Sequence, residues 1–462
     1  MTRYVSTRGA APPVDFAEAL LAGLAPDGGL YTPERWPELA ADEISAFAGR
    51  SYAEVAAAVV GRLAGDALPA DELLQHCRAA YAGFAHPAVA PLTQLDAELW
   101  LLELFHGPTL AFKDVAMQLL ARLYDAVLGR QGRRLTLVVA TSGDTGGAAV
   151  EAFRGRDNIR LVILFPHGRI SDVQRRFMTT AADANVSCVA VDGTFDDCQA
   201  LVKALFADAA LKAEVDLSGV NSINFGRIAA QAVYYFTSAV ALGGPARPVR
   251  FVVPTGNFGD AFAGYTAARM GLPVAGIDVA TNGNDILART FAEGVYARGD
   301  VAETQSPAMD IQVASNFERL YFEAVGRDGT ETARAFREFA STGRIVPPTQ
   351  ALAALRERFT GASADEAATA DAMTRAWEDS RTLIDPHTAV ALSVARRRPA
   401  SGPTVVLSTA HPAKFPEAVR AATGAEPGHA LADALAALPE RFTHLPAEEA
   451  AVAAHVRAFA AP

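Results

Sequence analysis

The 462-residue sequence is poor in cysteine, and its cysteines do not form a C-x-x-C pair. The three that occur, Cys77, Cys188 and Cys198, cannot all be joined in disulfides. Free thiols are typical of proteins in reducing compartments. We therefore predict a cytoplasmic protein whose cysteines are buried or incidental.

Long apolar runs and an excess of positive charge are also missing. Arg3 and Arg8 are not followed by the apolar segment of a signal peptide, and no run approaches the ~20 residues that span a membrane. Lysine and arginine number 41 against 52 aspartates and glutamates, which gives a formal net charge of −11. This balance argues against binding to nucleic acid or to anionic membranes. We expect a small-molecule partner, with no nucleic acid and no membrane.

Several catalytic and nucleotide-binding motifs are absent. The nine histidines include no H-E-x-x-H and no His-Cys cluster with zinc spacing, so we predict no protein-built metal site. The chain has no G-x-S-x-G elbow, which weakens a serine-hydrolase interpretation. It also lacks the G-x-G-x-x-G dinucleotide pattern and the P-loop pattern.

The sequence does contain a regular alternation of short apolar runs and helical patterns, from about residue 95 to about residue 410. Residues 161–165 and 186–191 are examples of the apolar runs. Such alternation predicts an α/β protein with parallel sheets covered by helices. Residues 1–92 are predicted to be helix-rich, with Asp15 as a helix cap, and residues 421–462 to form terminal helices.

One lysine, Lys113, lies between an apolar tripeptide and the predicted start of a helix. Gly107–Pro108 interrupts regular structure before it, and apolar residues recur at helical spacing after it. Packing Leu110 and Phe112 around its ammonium would disfavour the charged form, and a neutral lysine can attack a carbonyl to form a Schiff base. A solvated lysine at a helix end is the alternative.

Two apolar runs each lead into a glycine-containing loop and then a helical pattern. The first run, residues 135–140, precedes the loop 141–147, and the second, residues 249–254, precedes the loop 255–260. Glycines let the backbone approach a ligand, and free N–H groups at a helix start favour an anion. Both loops are thus candidate phosphate or carboxylate sites, although tight turns need glycine for structural reasons too.

A third strand-like run, residues 404–407, ends in two neutral hydroxyls, Ser408 and Thr409. Either hydroxyl could hydrogen-bond a heteroaromatic nitrogen without protonating it. Either could instead cap the following helix, as serine and threonine often do.

These segments together resemble a known family, the threonine synthases of the long bacterial and fungal type. The similarity extends from about residue 4 to about residue 420 and includes residues 4–9, 23–31, 105–114, 140–146, 221–224, 256–260, 315–319, 385–389 and 408–415. The resemblance implies an enzyme of fold type II, with two open, mostly parallel sheets covered by helices and a helix-rich N-terminal region. It implies that O-phospho-L-homoserine and water become L-threonine and phosphate with pyridoxal 5'-phosphate as cofactor.

The resemblance also implies a domain organisation. Residues 93–135 and 220–420 would form a large cofactor-binding domain, and residues 136–219 a smaller domain that carries the substrate-carboxylate loop. Residues 1–92 and 421–462 would flank them. We expect a monomer or a homodimer.

Site residues are implied by the same matches. Lys113 would hold the cofactor as a Schiff base and then act as general acid and base. The cofactor would also be bound by Thr409, with Ser408 as the competing choice, and by a phosphate loop of Gly256, Asn257, Phe258, Gly259 and Asp260. The substrate would be bound by Ser142, Gly143, Asp144, Thr145, Asn221, Ser222, Asn224 and Arg227.

The substrate phosphate needs a cation, and the matched segments offer several. The candidates are His106, Arg169, Arg175, Arg176, Arg227, Arg319 and Lys414. Arginine is favoured over lysine because it binds phosphate in a fork geometry, and Arg227 is our first choice because it follows Asn221, Ser222 and Asn224. Two other functions stay open at this point. One is a related pyridoxal-phosphate lyase acting on serine, threonine or a phosphorylated analogue, and the other is a non-catalytic binding homologue.

Overall fold

Two sheets, one of six strands and one of five, organise residues 2–398 and 401–461, which this computed structural model describes. The strands are β1 (Tyr4–Ser6), β2 (Tyr31–Pro33), β3 (Leu92–Asp96), β4 (Leu99–Glu103), β5 (Leu135–Ala140), β6 (Ile159–Pro166), β7 (Val186–Asp192), β8 (Leu217–Ser218), β9 (Val249–Pro254), β10 (Val274–Thr281), β11 (Tyr296–Ala297), β12 (Arg344–Ile345), β13 (Phe359–Ser363), β14 (Thr404–Ser408) and β15 (Thr443–Pro446).

Helices cover both sheets and form most of the N-terminal region. They are α1 (Phe16–Ala22), α2 (Ala41–Ser45), α3 (Tyr52–Ala64), α4 (Ala70–Tyr81), α5 (Lys113–Gln131), α6 (Asp144–Phe153), α7 (Asp172–Thr179), α8 (Phe195–Ala207), α9 (Ala209–Val215), α10 (Phe225–Ala241), α11 (Gly259–Arg269), α12 (Ile286–Glu293), α13 (Phe317–Ala324), α14 (Gly329–Thr342), α15 (Thr349–Arg358), α16 (Glu366–Ser380), α17 (Pro386–Arg396), α18 (Pro416–Thr423), α19 (Ala430–Ala436) and α20 (Glu449–Ala460).

The larger sheet has the strand order β13-β10-β9-β14-β4-β3, and only β3 runs antiparallel to its neighbour. Strands β9, β14 and β4 are adjacent, so their carboxyl ends lie side by side at one edge. In open parallel sheets ligands bind at this edge. The chain that leaves these three strands carries the second glycine loop, the hydroxyl pair and Lys113.

The smaller sheet is parallel throughout, with the order β15-β7-β6-β5-β8. The first glycine loop leaves the carboxyl end of β5. The edge strand β15 belongs to residues 421–462, for which the sequence predicted only helices. Its sequence, THLP, has one aliphatic residue and a proline, so it carries no strand pattern of its own, and it is placed by pairing Leu445 opposite Val191.

The apolar runs found in the sequence are strands of these sheets. The apolar runs at 135–140 and 249–254 are β5 and β9. Helices α8 and α9 are separate because Asp208 leaves the helical conformation and its carboxylate accepts hydrogen bonds from Ala210 N and Leu211 N at the start of α9. The division into domains stays a prediction.

The N-terminal helices pack against α5 and α10. Asp15 caps α1 as predicted, since its carboxylate accepts from Glu18 N at 2.8 Å while the Glu18 carboxylate accepts from Asp15 N at 3.2 Å. Helix α10 is buried on nearly every side and packs between α3, α5 and α11. Among the described helices, none is both long enough and apolar enough to cross a membrane. The predicted α/β fold class is confirmed.

Candidate active site

A sharp bend between β4 and α5 positions Lys113. The residue Leu110 has a φ of 60°, a conformation that side chains rarely adopt. Next to it, Phe112 N donates to Thr409 O at 2.8 Å, which ties the bend to the end of β14. Lys113 is then the first residue of α5, as the sequence predicted.

The neighbouring Asp114 stabilises this bend. Its carboxylate accepts hydrogen bonds from Thr109 N at 2.7 Å and from the Thr109 hydroxyl at 2.6 Å. A Cβ on Gly107 would lie 2.4 Å from the Asp114 Cβ, so only glycine fits there. Burial raises the pKa of the Asp114 carboxyl to about 6.

The Lys113 amine occupies an apolar but charge-rich environment. The residue is 8% exposed, and its Nζ lies 4.6 Å from the centre of the Phe112 ring. Burial lowers the pKa of Lys113, the carboxylate of Asp144 opposes this shift, and the positive charges of Lys414 and Arg227 add to it. The lysine is therefore prepared to lose a proton.

The Asp144 carboxylate is shared between two lysines. Its Oδ1 lies 2.7 Å from Lys414 Nζ, and its Oδ2 lies 3.8 Å from Lys113 Nζ. Gln174 Nε2 also donates to Oδ1 at 3.0 Å. Burial would raise the pKa of Asp144, but the two ammonium groups outweigh it and hold the pKa well below its usual range. Asp144 is thus an ionised partner of both lysines.

The first glycine loop turns Asp144 inward and leaves other groups facing outward. The Thr141 hydroxyl accepts from Gly143 N and Gly146 N, both at 2.9 Å. Gly143 has a φ of 139°, and a Cβ there would lie 2.6 Å from the Gln174 side chain. Ser142 and Thr145 are only half-buried. The hydroxyls and the helix start, rather than the Asp144 carboxylate, would be the groups of this loop that could bind an anion.

The second glycine loop, residues 256–260, lies beside the end of β9. A Cβ on Gly256 would lie 2.7 Å from Ala308 O, so the two backbones approach closely. Phe258 has a φ of 63°, and Asn257 O accepts from the Asn316 side chain at 3.0 Å. Helix α11 begins at Gly259, and its first N–H groups point out of the helix start. This geometry suits a phosphate.

Asp260, at the end of this loop, is turned toward the protein interior. Its Oδ1 accepts from the hydroxyls of Tyr234 and Tyr235 at 2.5 and 2.9 Å, while its Oδ2 is buried without a partner among the described residues. Burial raises the pKa of Asp260 to about 6, against the effect of the two tyrosines and of Lys113.

The hydroxyl pair after β14 is divided between two roles. The Ser408 hydroxyl lies 3.1 Å from the Thr388 hydroxyl, with which it shares a hydrogen bond. The backbone N–H of Thr409 donates to the same Thr388 oxygen at 3.2 Å. The Thr409 hydroxyl has no partner among the described residues, so Thr409 is the residue left to face a ligand.

Residues 221–227 lead into α10 and include one structural residue. The side-chain amide of Asn224 donates to Leu20 O at 2.7 Å and to Tyr124 Oη at 2.9 Å, and its Oδ1 accepts from Gly226 N. These bonds make Asn224 a helix cap, and its contact with substrate stays a prediction. Asn221 is exposed and Ser222 half-buried.

Arg227, in contrast, is a buried cation that lacks partners. It is 4% exposed. Among the described residues its guanidinium makes a single long hydrogen bond, 3.5 Å to Val220 O, and its Nε has no partner. Burial lowers the pKa of Arg227 to about 10. An unpaired buried guanidinium is destabilising unless an anion binds it.

These features fit a pyridoxal-phosphate cofactor. The unpartnered Arg227 and the crowded Gly256 backbone indicate an anion. Lys113 supplies a buried amine with a lowered pKa, and Thr409 a free neutral hydroxyl. Lys113, Thr409 and the phosphate loop would hold the group.

Most of the other predicted cations are occupied elsewhere. Arg175 pairs with Glu440 at 2.7 Å, and Arg176 donates to the carbonyls of Leu435 and Leu438. Arg319 is fully buried and donates to three oxygens, among them Tyr31 O at 2.9 Å. These arginines hold the C-terminal segment and the second loop in place.

Sequence reasoning missed the partners that orient the site. Gln174, Tyr234 and Asp385 showed no local signal, although Asp385 lies in a segment that resembles the family. Their positions follow only from the folded structure.

A separate cluster of potential metal ligands lies on the smaller sheet. One ligand atom each of His167, Asp192 and His444 lies within 4.8 Å of the others, and all three residues are exposed. None of them belongs to the site around Lys113. The expectation that the protein builds no metal site stays a prediction.

Three family models match successive parts of the chain. Residues 3–81 match the model described as threonine synthase N terminus, and residues 388–456 match that described as threonine synthase, C-terminal. Residues 86–361, more than half of the chain, match the model of pyridoxal-phosphate dependent enzymes.

Individual proteins are similar over nearly the whole length. The threonine synthase of Pseudomonas aeruginosa is 48% identical over 460 residues, which cover 98% of each chain. The crystal structure of pyridoxal-phosphate-bound threonine synthase from Brucella melitensis has a TM-score of 0.97, 51% identity and 100% coverage of both chains. The yeast threonine synthase structure has a TM-score of 0.92 and 36% identity, and the match covers 98% of this chain and 97% of the yeast chain.

Proposed function

The chain belongs to the threonine synthase family of pyridoxal-phosphate-dependent fold type II lyases, and from this premise we propose that it converts O-phospho-L-homoserine and water into L-threonine and phosphate. The observation that carries the proposal is the placement of Lys113. Its buried amine lies beside the Asp144–Lys414 ion pair and close to Arg227. A reactive amine, a carboxylate-binding loop and an unpaired cation are the groups that a phosphorylated amino acid requires.

Pyridoxal phosphate, when bound, would withdraw electrons from the substrate carbon that bears the amine and from the carbon next to it. The protein must then move protons at two adjacent carbons of the substrate, and we assign these transfers to Lys113 Nζ. A primary amine on four methylenes can reach both carbons. The lowered pKa increases the fraction of Lys113 that is neutral and able to accept a proton.

We infer that Asp144 and Lys414 keep the Lys113 amine nearby for these transfers without immobilising it. Lys414 lies closer to the carboxylate than Lys113 does, 2.7 Å against 3.8 Å. Lys113 is therefore attracted to Asp144 without being locked in a tight ion pair, and its amine stays free to move.

We assign the substrate carboxylate to the first loop, in which Ser142 and Thr145 are half-buried. Gly143 and Asp144 contribute through the backbone at the start of α6. The substrate phosphate is assigned to Arg227, with Asn221 and Ser222 nearby on the same segment. The unpartnered Nε of Arg227 supports this assignment.

Thr409 is assigned to the pyridine nitrogen of the cofactor. Full protonation of the pyridine ring would favour competing carbanion chemistry, and a neutral hydroxyl at this position would avoid it. In the variant Thr409→Asp we expect a changed ratio of products; an unchanged ratio would contradict this assignment.

Product analysis tests the function directly. The enzyme is incubated with O-phospho-L-homoserine, and threonine, 2-oxobutyrate and phosphate are quantified together, with Lys113→Ala in parallel. We expect threonine and phosphate in equal amounts, both lost in Lys113→Ala. Phosphate with 2-oxobutyrate would instead identify a related lyase, and no turnover would identify a non-catalytic homologue.

We further propose a cytoplasmic location and a monomer or homodimer. The location is supported by Cys77, Cys188 and Cys198, which are all free and buried. Burial raises the pKa of the Cys77 and Cys188 thiols to about 12, so both are unreactive. Fractionation and light scattering would test the two expectations.

A further inference from the structure

Asp385 is a buried carboxylate that lies behind the site and accepts four hydrogen bonds. Its Oδ1 accepts from His387 N at 2.9 Å and from His387 Nδ1 at 2.8 Å. Its Oδ2 accepts from the Thr388 hydroxyl and from Thr388 N at 3.4 Å. The two backbone bonds cap α17, but the two side-chain bonds are not needed for a cap.

The hydrogen bond from the Thr388 hydroxyl to Asp385 orients a chain of hydrogen bonds that leads to Thr409. Because the Thr388 hydroxyl donates to Asp385, its oxygen can only accept from its other neighbours. It accepts from Thr409 N at 3.2 Å, and the Ser408 hydroxyl lies 3.1 Å away and donates to it. Asp385 thereby fixes the backbone of Thr409 and engages the competing Ser408 hydroxyl.

The hydrogen bond from His387 Nδ1 to Asp385 orients a chain of hydrogen bonds that leads to the phosphate loop. Ala308 N donates to His387 Nε2 at 3.2 Å, so that nitrogen carries no proton and Nδ1 donates to Asp385. The carbonyl of the same Ala308 lies against Gly256, where an added Cβ would be 2.7 Å from it. Asp385 thereby fixes the tautomer that holds the wall of this loop.

We propose that Asp385 is a positioning residue that orients the groups at both ends of the cofactor, Thr409 through Thr388 and the Gly256 loop through His387. The proposal rests on the assignment of these two groups to the pyridine nitrogen and the phosphate. In this proposal the Asp385 carboxylate does not touch the cofactor, but it orients the two groups, Thr409 and the Gly256 loop, that would contact it.

The substitution Asp385→Asn separates this role from helix capping, because asparagine caps helices about as well as aspartate. The NH₂ group of the new amide is a donor and would face either His387 Nδ1 or the Thr388 hydroxyl, both of which donate to Asp385. One of the two chains of hydrogen bonds must therefore break. In the holoenzyme we expect weaker binding of pyridoxal phosphate, by about tenfold or more, together with a shifted absorption maximum of the bound cofactor. The melting temperature should fall only modestly, as expected for the loss of one buried hydrogen bond.

Asp365→Asn is the matched control. Asp365 also caps a helix, α16, and its carboxylate accepts from Ala368 N at 2.8 Å. This variant should keep wild-type cofactor affinity and spectrum. If Asp385→Asn matched it in both readouts, Asp385 would be a cap only and the proposal would be overturned.

The two chains of hydrogen bonds are tested separately by Thr388→Val and His387→Phe. Thr388→Val should shift the absorption maximum with a small change in affinity, and His387→Phe should weaken affinity with a smaller spectral change. These variants also decide the matter if Asp385→Asn fails to fold, since wild-type behaviour in both would overturn the proposal. The readouts use pyridoxal phosphate alone, so a wrong substrate assignment would leave them unaffected.

Discussion

Lys414 Nζ lies 2.7 Å from Asp144 Oδ1, and this ion pair joins the ends of strands in two different sheets. Lys414 follows β14 of the larger sheet, and Asp144 begins α6 after β5 of the smaller one. Lys414 is 1% exposed and also donates to Thr109 O at 2.8 Å. The pair therefore neutralises Asp144 beside the reactive lysine and holds the bend before it.

Replacing Lys414 with methionine should raise the pKa of Lys113. Asp144 would lose its nearer partner and act on Lys113 alone, and a positive charge that disfavours the Lys113 ammonium would be gone. The acidic limb of the kcat–pH profile should move to higher pH. Removing one partner of a buried pair should also lower the free energy of unfolding by about 3–5 kcal/mol.

Lys203→Met is the control for Lys414→Met, because Lys203 is an exposed lysine on α8. It should leave the profile and the stability unchanged. A Lys414→Met enzyme whose acidic limb stays at the wild-type pH would show that Lys414 does not tune Lys113.

Gly256→Ala should weaken cofactor binding without unfolding the protein. The added methyl would lie 2.7 Å from Ala308 O, which is backbone and cannot rotate away. Overpacking of this kind costs about 1–3 kcal/mol, which corresponds to about five- to hundredfold in affinity. Titration with pyridoxal phosphate would measure the loss. Gly283→Ala is the control, since a Cβ at Gly283 meets nothing within 4 Å, and equal affinities in both variants would contradict the close approach.

The sequence predicted elements that carry a local signal, and Lys113 is the clearest case. A glycine–proline break, an apolar tripeptide and a helical repeat surround it, and the structure places it at the first position of α5. The glycine loops were found because strand, loop and helix patterns follow one another directly. Local patterns thus identified the groups that would touch the cofactor.

What the sequence could not supply are the partners of those groups. Lys414 pairs with Asp144, and Tyr234 and Tyr235 bind Asp260, across long separations that leave no periodicity in the chain. The partners of Asn224 carry no local signal for the same reason. Its amide is used by Leu20 and Tyr124, which lie on helices far away in the sequence.

Arg227→Met should separate ligand binding from stability. The Arg227 guanidinium is buried with an unpartnered Nε, so an apolar side chain should leave the ligand-free protein as stable or make it more stable. Binding of the phosphorylated substrate should weaken, which we expect as a higher KM. If affinity for pyridoxal phosphate fell instead, Arg227 would belong to the cofactor phosphate.

Arg319→Met provides the contrast for Arg227→Met. Arg319 is also buried, and burial lowers its pKa to about 9, but its guanidinium donates to three oxygens. Its removal would leave these oxygens unsatisfied and should lower the melting temperature strongly. Similar losses of stability in both variants would contradict the proposal that the Arg227 guanidinium is unpaired in the ligand-free protein and binds an anionic ligand.

Asp114→Asn should flatten the pH dependence of stability between about pH 4 and pH 6. The folded-state pKa of Asp114 is about 6, above the ordinary value of 3.8, so the folded protein binds more protons than the unfolded chain in this window. Stability then falls as pH rises through it, and Asp260 contributes with the same sign. Asp144 has a lowered pKa, so its opposite contribution is lost only at more acidic pH.

Melting temperatures of the holoenzyme from pH 4 to pH 8 would measure this effect. The decline of the wild-type protein should be smaller in Asp114→Asn, because asparagine keeps an acceptor for Thr109 but has no proton to lose. Asp71→Asn, at an exposed position on α4, gives the baseline. A decline as steep in Asp114→Asn as in Asp71→Asn would mean that Asp114 is already ionised throughout this range, and that its hydrogen bonds to Thr109 outweigh its burial.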